Sequence, residues 1–504
     1  MNKPLIKRID WFITLVPFLS ILALCGVFMA DPEGSTAVLG NIRSFLGEEF
    51  GSYYLIIGLV IFFLTIYMAF SRYGNIRLGG DKPEYSNFKW GTMMFTAGLA
   101  ADILFYSLCE WMLYANEPHI SEMGSVQDWA STYPLFHWGP IPWAFYMALA
   151  VPFGFMLHVR KRSKQKYSEA CRPVLGKWTD SWPGRLIDLI AVFALIAGTA
   201  TTFSLATPLL SQALATVLGI APSTGLTILI LIIICIIYTI CAYFGIAGVS
   251  WMAAFCTYVF FALLAFVLLL GGETRYIIET GLTAVGNVLQ NFIGLSTWTD
   301  ALRTSHFPQN WTIFYWAYWM VWCVATPFFI GSISKGRTIK QTVLGGYAFG
   351  LAGTWTSFII LGNYGLGLQM HGKLDLLSIY GKNGSLYEAI VAMLETLPGY
   401  KLVLVLLAVS MIAFYATTFD SLAIVASDYS YKEMLPGEEP HKNLKVFWSI
   451  LLILLPIALL FSQNSMTNLQ TVSIIAAFPV GIIMIIIIRS FFKDAGKYLK
   501  EQNR

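Results

Sequence analysis

A chain of 504 residues with 57% hydrophobic and only 12% charged side chains does not have the surface of a soluble globular protein, of which about 25% is charged. Its net charge of +4 is too mild to mark a nucleic-acid partner. Repeated continuous apolar runs of spanning length identify an all-α polytopic membrane protein, since such runs satisfy their backbone in a bilayer only as helices.

The first apolar run, 11–30, is long and lacks a small-residue cleavage site, so it reads as a spanning helix and not as a cleavable signal peptide. Eleven more segments follow at 51–71, 90–114, 133–158, 185–211, 224–245, 248–271, 310–333, 343–368, 401–426, 446–462 and 470–491. A further apolar stretch, 278–296, is interrupted by polar residues and reads as an interfacial amphipathic helix. The longest polar-leaning connection is 372–401.

Basic residues support a count of twelve. They cluster before the first segment (Lys3, Lys7, Arg8), after the second (Arg72, Arg77, Lys82, Lys89), after the fourth (160–185), after the eighth (Lys335, Arg337, Lys340), after the tenth (Lys432, Lys442, Lys445) and at the C-terminus, all on one side. Of the opposite connections, 31–49 carries Arg43 against four acids, and 115–132 carries no Lys or Arg. This asymmetry predicts that both termini are cytoplasmic in a multi-pass protein of the cytoplasmic membrane.

Segments 3 and 8 share a design. Each opens with Trp at a membrane boundary, and each carries a helix-weakening spot, Gly98-Leu99-Ala100-Ala101-Asp102 in one and Ala325-Thr326-Pro327 in the other. The offset of five segments is odd, so the two copies run in opposite directions across the bilayer. Matching breaks in two inverted halves point to a transporter binding site. One transmembrane unit, 1–504, then divides into 1–89 with two leading helices, 90–271 and 310–491 as the two repeats, 272–309 around the interfacial helix, and a short tail at 492–504.

Residues able to carry chemistry concentrate near these breaks. In segment 8, Tyr315, Tyr318, Trp319 and Trp322 fall at i, i+3, i+4 and i+7, on one helix face. In segment 4, Trp143 and Tyr146 share a face beside Gly139, Pro140 and Pro142. With Trp319 these rings either enclose a cation by their quadrupoles or form an interfacial belt with ordinary packing. Asp102 lies in mid-membrane, where a charge costs about 2.5–3.5 kcal/mol, and is either functional or paired for structure. Glu110 reads as having a structural polar partner, and His137 as a satisfied core histidine. The seven cysteines have no metal-ligand or redox spacing and read as reduced, inert thiols.

Phe136-His137-Trp138-Gly139-Pro140 with Pro142-Trp143, then Phe314-Tyr315-Trp316-Ala317-Tyr318-Trp319 and Ser332-Ile333-Ser334-Lys335-Gly336-Arg337-Thr338, resemble the betaine/carnitine/choline transporter family over essentially all twelve segments. The resemblance implies a LeuT-like core of two inverted five-helix repeats, helices 3–7 and 8–12, after two extra helices. It also implies homotrimers and trimethylammonium substrates. It places Trp138, Trp143, Tyr146 and Trp319 in a central aromatic box, with Trp322 a further ring on the cytoplasmic path. Choline-carrying, proton-coupled relatives have an Asp at the position of Asp102, where betaine carriers have a glycine-rich stretch; a carboxylate suits a net cation. Sodium-coupled relatives ligate the ion with hydroxyls matching Thr417 and Thr418 and backbone oxygens matching Thr96, Leu99 and Phe414. Coupling to H+ and coupling to Na+ both stay open, with no other cofactor expected.

Three departures narrow the resemblance. Carnitine antiporters carry an Arg in segment 7 where 251–258 has no basic residue and Cys256 stands, and a Met where this chain has Thr326. Osmosensing relatives carry long charged extensions, so uptake for metabolism is expected. Carnitine, γ-butyrobetaine and betaine remain alternatives to choline, by symport or exchange. A membrane-embedded enzyme would want a nucleophile–base pair or metal cluster, and a channel a repeated filter motif; neither pattern occurs in the sequence.

Overall fold

A computed structural model describes residues 5–162, 164–244, 246–432, 438–461 and 466–502, and among these it is helical, with two isolated β-bridges. The described residues of the twelve expected segments fall mainly on helix. Among the described residues six helices are long and apolar enough to cross a membrane, and up to ten spans result if each sharply bent pair counts as one. The expected segments at 224–245 and 446–462 correspond to the helices Thr224–Phe244 and Lys442–Phe461.

Both expected breaks are present. The helices Asn87–Thr96 and Ala101–Ala115 meet at 62°, and Pro308–Trp322 and Thr326–Ile333 at 57°. The stretch expected to lie in the interface forms the helix Thr274–Thr297, bent 110° from the helix before it at Gly271-Gly272. Two connections hold more structure than their composition announces. The connection after the first span is the helix Pro32–Ser44, started by Asp31, whose side chain accepts from Gly34 N at 2.9 Å, and by Pro32 at its first position. The 372–401 connection contains the helices Leu376–Asn383 and Leu386–Glu395.

At one end of the molecule the connection before the first broken helix is tied to the connection after the second. Leu78 N donates to Arg337 O at 2.8 Å and Gly336 N to Leu78 O at 2.9 Å, beside the Arg77–Thr338 bridge. Gly336 has φ +78, and a Cβ there would lie 1.9 Å from Lys82 O, so only glycine fits. The Arg337 guanidinium stacks 4.0 Å over the Trp90 ring and donates to Asn87 Oδ1 and Tyr85 O. Thr338 and Gln341 form a capping box that starts the next helix, Ile339–Ser357. The two broken helices are thereby held in fixed relation close to where each begins or ends.

Candidate functional site

At the first break a short run, 97–100, leaves the helix. Ala97 N still donates to Met93 O, Leu99 N turns back to Thr96 O at 3.0 Å, and Ala100 is fully extended at φ −144, ψ 174. Helix resumes at Ala101, so Asp102 stands in a first turn, where free N–H groups and the helix dipole favour a carboxylate. The second break follows Trp322. Cys323 N donates to Met320 O, and Pro327 enters the first turn of Thr326–Ile333 without an N–H to give. A third discontinuity lies at Trp138-Gly139, where Pro140 restarts the chain as the helix Pro140–Gly154.

These three interruptions converge on one cavity, bordered by Asp102, Trp138, Tyr146, Tyr318, Trp319, Trp322, Thr326 and Thr418 and by the 97–100 backbone. Trp319 is the hub of the ring wall. Its centroid lies 4.8 Å from Tyr146, 5.5 Å from Trp138 and 5.9 Å from Trp143. Trp143 does not border the cavity. It stands behind Tyr146, 5.6 Å away, wedged between two glycines whose added Cβ atoms would lie 2.7 Å (Gly98) and 2.5 Å (Gly350) from its ring. The structure thus groups Trp138, Tyr146, Trp319 and Trp322 on the wall and gives Trp143 the place of a backing ring. Gly350→Ala is expected to push Trp143 into the wall and to lower stability by about 1–3 kcal/mol, as overpacking does. Thermal unfolding in detergent measures this, and an unchanged midpoint contradicts the wedge.

Asp102 is 4% exposed and accepts a hydrogen bond on Oδ2 from the Tyr318 hydroxyl, which also contacts Thr202 Oγ1; Ile103 N donates to Oδ1 at 3.0 Å. Tyr318, from the aromatic face of segment 8, and Thr326 border the cavity beside the residues that the family resemblance assigns to it. The signal for Tyr318 lay in the one-face spacing of 315, 318, 319 and 322. That face splits in three dimensions: Tyr315 leaves it and stacks on His137 at 4.9 Å, while Trp316, off the face, points away toward Phe136 and Gly58. The indole N–H groups of Trp319 and Trp322 find no acceptor among the described residues.

Of the expected ion ligands, Leu99 and Thr418 border the same cavity. The Thr96 hydroxyl donates to Thr92 O at 3.0 Å, and the Thr96 carbonyl, the oxygen expected to face an ion, keeps a lone pair beyond the one facing Leu99 N. Phe414 is buried and packs on Phe260 at 5.7 Å. The side chains of Thr417 and Cys256 lie outside the described residues.

Glu110 and His137 prove to belong to one network. Glu110 Oε2 accepts from Trp138 Nε1 at 2.7 Å and Oε1 from the Tyr114 hydroxyl at 2.5 Å. The same hydroxyl lies 2.6 Å from His137 Nδ1, and His137 Nε2 lies 3.0 Å from Thr312 Oγ1. Glu110 therefore has the polar partner expected of it, and that partner is a ring of the cavity wall. Thr354 Oγ1 donates to the Trp138 carbonyl at 2.9 Å, so this ring is held at both ends.

Comparison with known proteins gives the family. Over 479 residues, 93% of this chain and 87% of the relative, the sequence is 26% identical to a carnitine transporter of Acinetobacter baumannii. Over 434 residues, 85% of this chain and 90% of the relative, it is 27% identical to the uncharacterized transporter YeaV of Escherichia coli. The sequence profile of the BCCT family matches residues 12–500, nearly the whole chain, and the protein is therefore a multi-pass membrane transporter belonging to the betaine/carnitine/choline transporter family.

Proposed function

We propose that this transporter carries a trimethylammonium cation, choline before any other, from the outside to the cytoplasm by alternating access. The observation that carries the reading is the convergence of five aromatic side chains and one buried carboxylate on a single cavity at three helix interruptions. A quaternary ammonium has no N–H, so hydrogen-bond acceptors alone cannot grip it. Ring faces can, each contributing about 0.5–2 kcal/mol according to desolvation. Three or four of them provide binding in the micromolar to millimolar range. The unaccepted indole N–H groups of Trp319 and Trp322 suit a solute oxygen, such as the choline hydroxyl.

The carnitine transporter relative favours a second reading, a zwitterion carrying its own carboxylate. Asp102 weighs against it, since like charges in a dry site repel. We further propose that the twelve segments form a LeuT-like pair of inverted repeats after two leading helices. We place the protein in the cytoplasmic membrane, as a homotrimer with both termini cytoplasmic. The driving ion is H+ or Na+; Leu99 and Thr418 on the cavity border support sodium, whose preference is for hard oxygen ligands.

Purified protein in liposomes should accumulate labelled choline under an imposed H+ or Na+ gradient. Uptake should saturate, show counterflow, and be competed by γ-butyrobetaine more weakly than by choline. No accumulation of choline, betaine, carnitine or γ-butyrobetaine under either gradient or in exchange would end the reading, and non-saturating flux would make the protein a channel.

A further inference from the structure

The network behind Trp138 has a property that packing alone does not require. Glu110 is fully buried, and among the described residues no Lys or Arg is within ion-pair reach of it. The titratable groups that face it are Tyr106, Cys109 and Tyr114 from its own helix, His137 at 3.8 Å from the neighbouring helix, and Tyr315 from the second broken helix. A carboxylate so placed is costly to keep ionised, and a carboxylic acid so placed needs an acceptor for its proton.

The chain of contacts satisfies both states without moving a heavy atom. With Glu110 ionised, Thr312 Oγ1 donates to His137 Nε2, His137 Nδ1–H donates to Tyr114 Oη, and Tyr114 donates to Glu110. With Glu110 protonated every step reverses: Glu110 donates to Tyr114, Tyr114 to His137 Nδ1, and His137 Nε2–H to Thr312. One added proton separates the two arrangements. It arrives on His137 Nε2, the Nδ1 proton passes to Tyr114 and the Tyr114 proton to Glu110 Oε1. The imidazole changes tautomer and stays neutral at both ends of the sequence. In either state Trp138 Nε1–H keeps its acceptor, so the indole is always docked on a group whose charge can change.

We propose that Glu110 is a proton-binding site wired to the wall of the substrate cavity, filled along Thr312–His137–Tyr114 and read by the substrate through the indole of Trp138. The proposal rests on the reading that the solute is a cation. An ionised Glu110 behind the ring enriches its face and attracts the cation; a protonated one does neither. Linkage then makes proton and cation oppose each other by the same factor in both directions. The proton bound here acts as a switch on affinity and release, not as the co-transported ion.

The test is choline counterflow by the full-length protein in proteoliposomes at equal pH on both sides. The wild-type KM should fall about tenfold from acid to mildly alkaline pH, within the usual range of site-to-site coupling. Glu110→Gln can still accept from Trp138 and donate to Tyr114, so it keeps the docked ring without the titrating charge. Its KM should start at the wild-type acid value and change with pH far less than the wild type's, by no more than protonation of Asp102 accounts for. A flat wild-type profile, or a Glu110→Gln profile that follows pH as steeply as the wild type's, overturns the proposal. A measurement needing no variant complements it: adding choline to unbuffered wild-type protein in detergent should release protons to an indicator dye, and choline binding without release also overturns it. A wild type that binds no trimethylammonium cation at any pH would overturn the cation reading, and this proposal with it.

Discussion

Trp319→Leu is expected to raise the KM for choline about 30-fold, while Trp319→Phe raises it only a few-fold. Trp319 is 3% exposed and touches three other rings, so truncation to alanine would confound binding with a cavity costing about 3–5 kcal/mol. Leucine keeps much of the apolar volume and removes the quadrupole; phenylalanine keeps a quadrupole of smaller size. If the ring face holds the cation in a desolvated site, leucine loses about 2 kcal/mol, which is the 30-fold factor. If the ring is only packing, the two variants lose alike, in proportion to the volume removed. Uptake kinetics with thermal unfolding as a control on folding decides this. Equal KM values for the two variants would remove the cation–π basis of the proposed function.

Much of this arrangement is legible before any coordinates. The one-face spacing in 315–322 and the glycine- or proline-containing interruptions are local signals, and local signals survive folding: both broken helices and the Trp138–Gly139 discontinuity lie beside a glycine or a proline. Which ring faces the cavity is not local. Trp143 has the credentials of a wall ring, but Gly98 and Gly350 admit it behind Tyr146, and Gly350 lies more than 200 residues away in sequence. Tyr318 becomes a site residue only because the break at 97–100 turns Asp102 toward it. The Glu110 network escapes sequence reading for the same reason, since its four other members come from three separate stretches. The helix after Asp31 has a local signal in Asp31-Pro32, masked by the acidic composition that also marks a solvated loop.

Asp102→Asn is expected to change the choline-to-betaine preference by more than a hundredfold, almost entirely by weakening choline. The substitution is nearly isosteric, and the remaining side-chain oxygen still accepts from the Tyr318 hydroxyl, so a purely structural Asp102 would be replaced at little cost. What disappears is charge. A trimethylammonium group held about 5 Å from a buried carboxylate, at an effective dielectric of about 20, gains about 3 kcal/mol, or a factor of roughly 150. Choline is a net cation and loses this gain in full. Betaine carries its own carboxylate, so attraction at one end is offset by repulsion at the other, and its KM should move little or improve. The placement of Asp102 makes the comparison clean: in the first turn of its helix the carboxylate is supported by backbone N–H groups and the helix dipole, which do not depend on the solute. Competition of labelled choline by betaine, in wild type and variant, measures the ratio directly. Equal shifts for both solutes would mean that Asp102 shapes the break without reading the charge of the solute, and selection between cation and zwitterion would have to reside elsewhere on the wall.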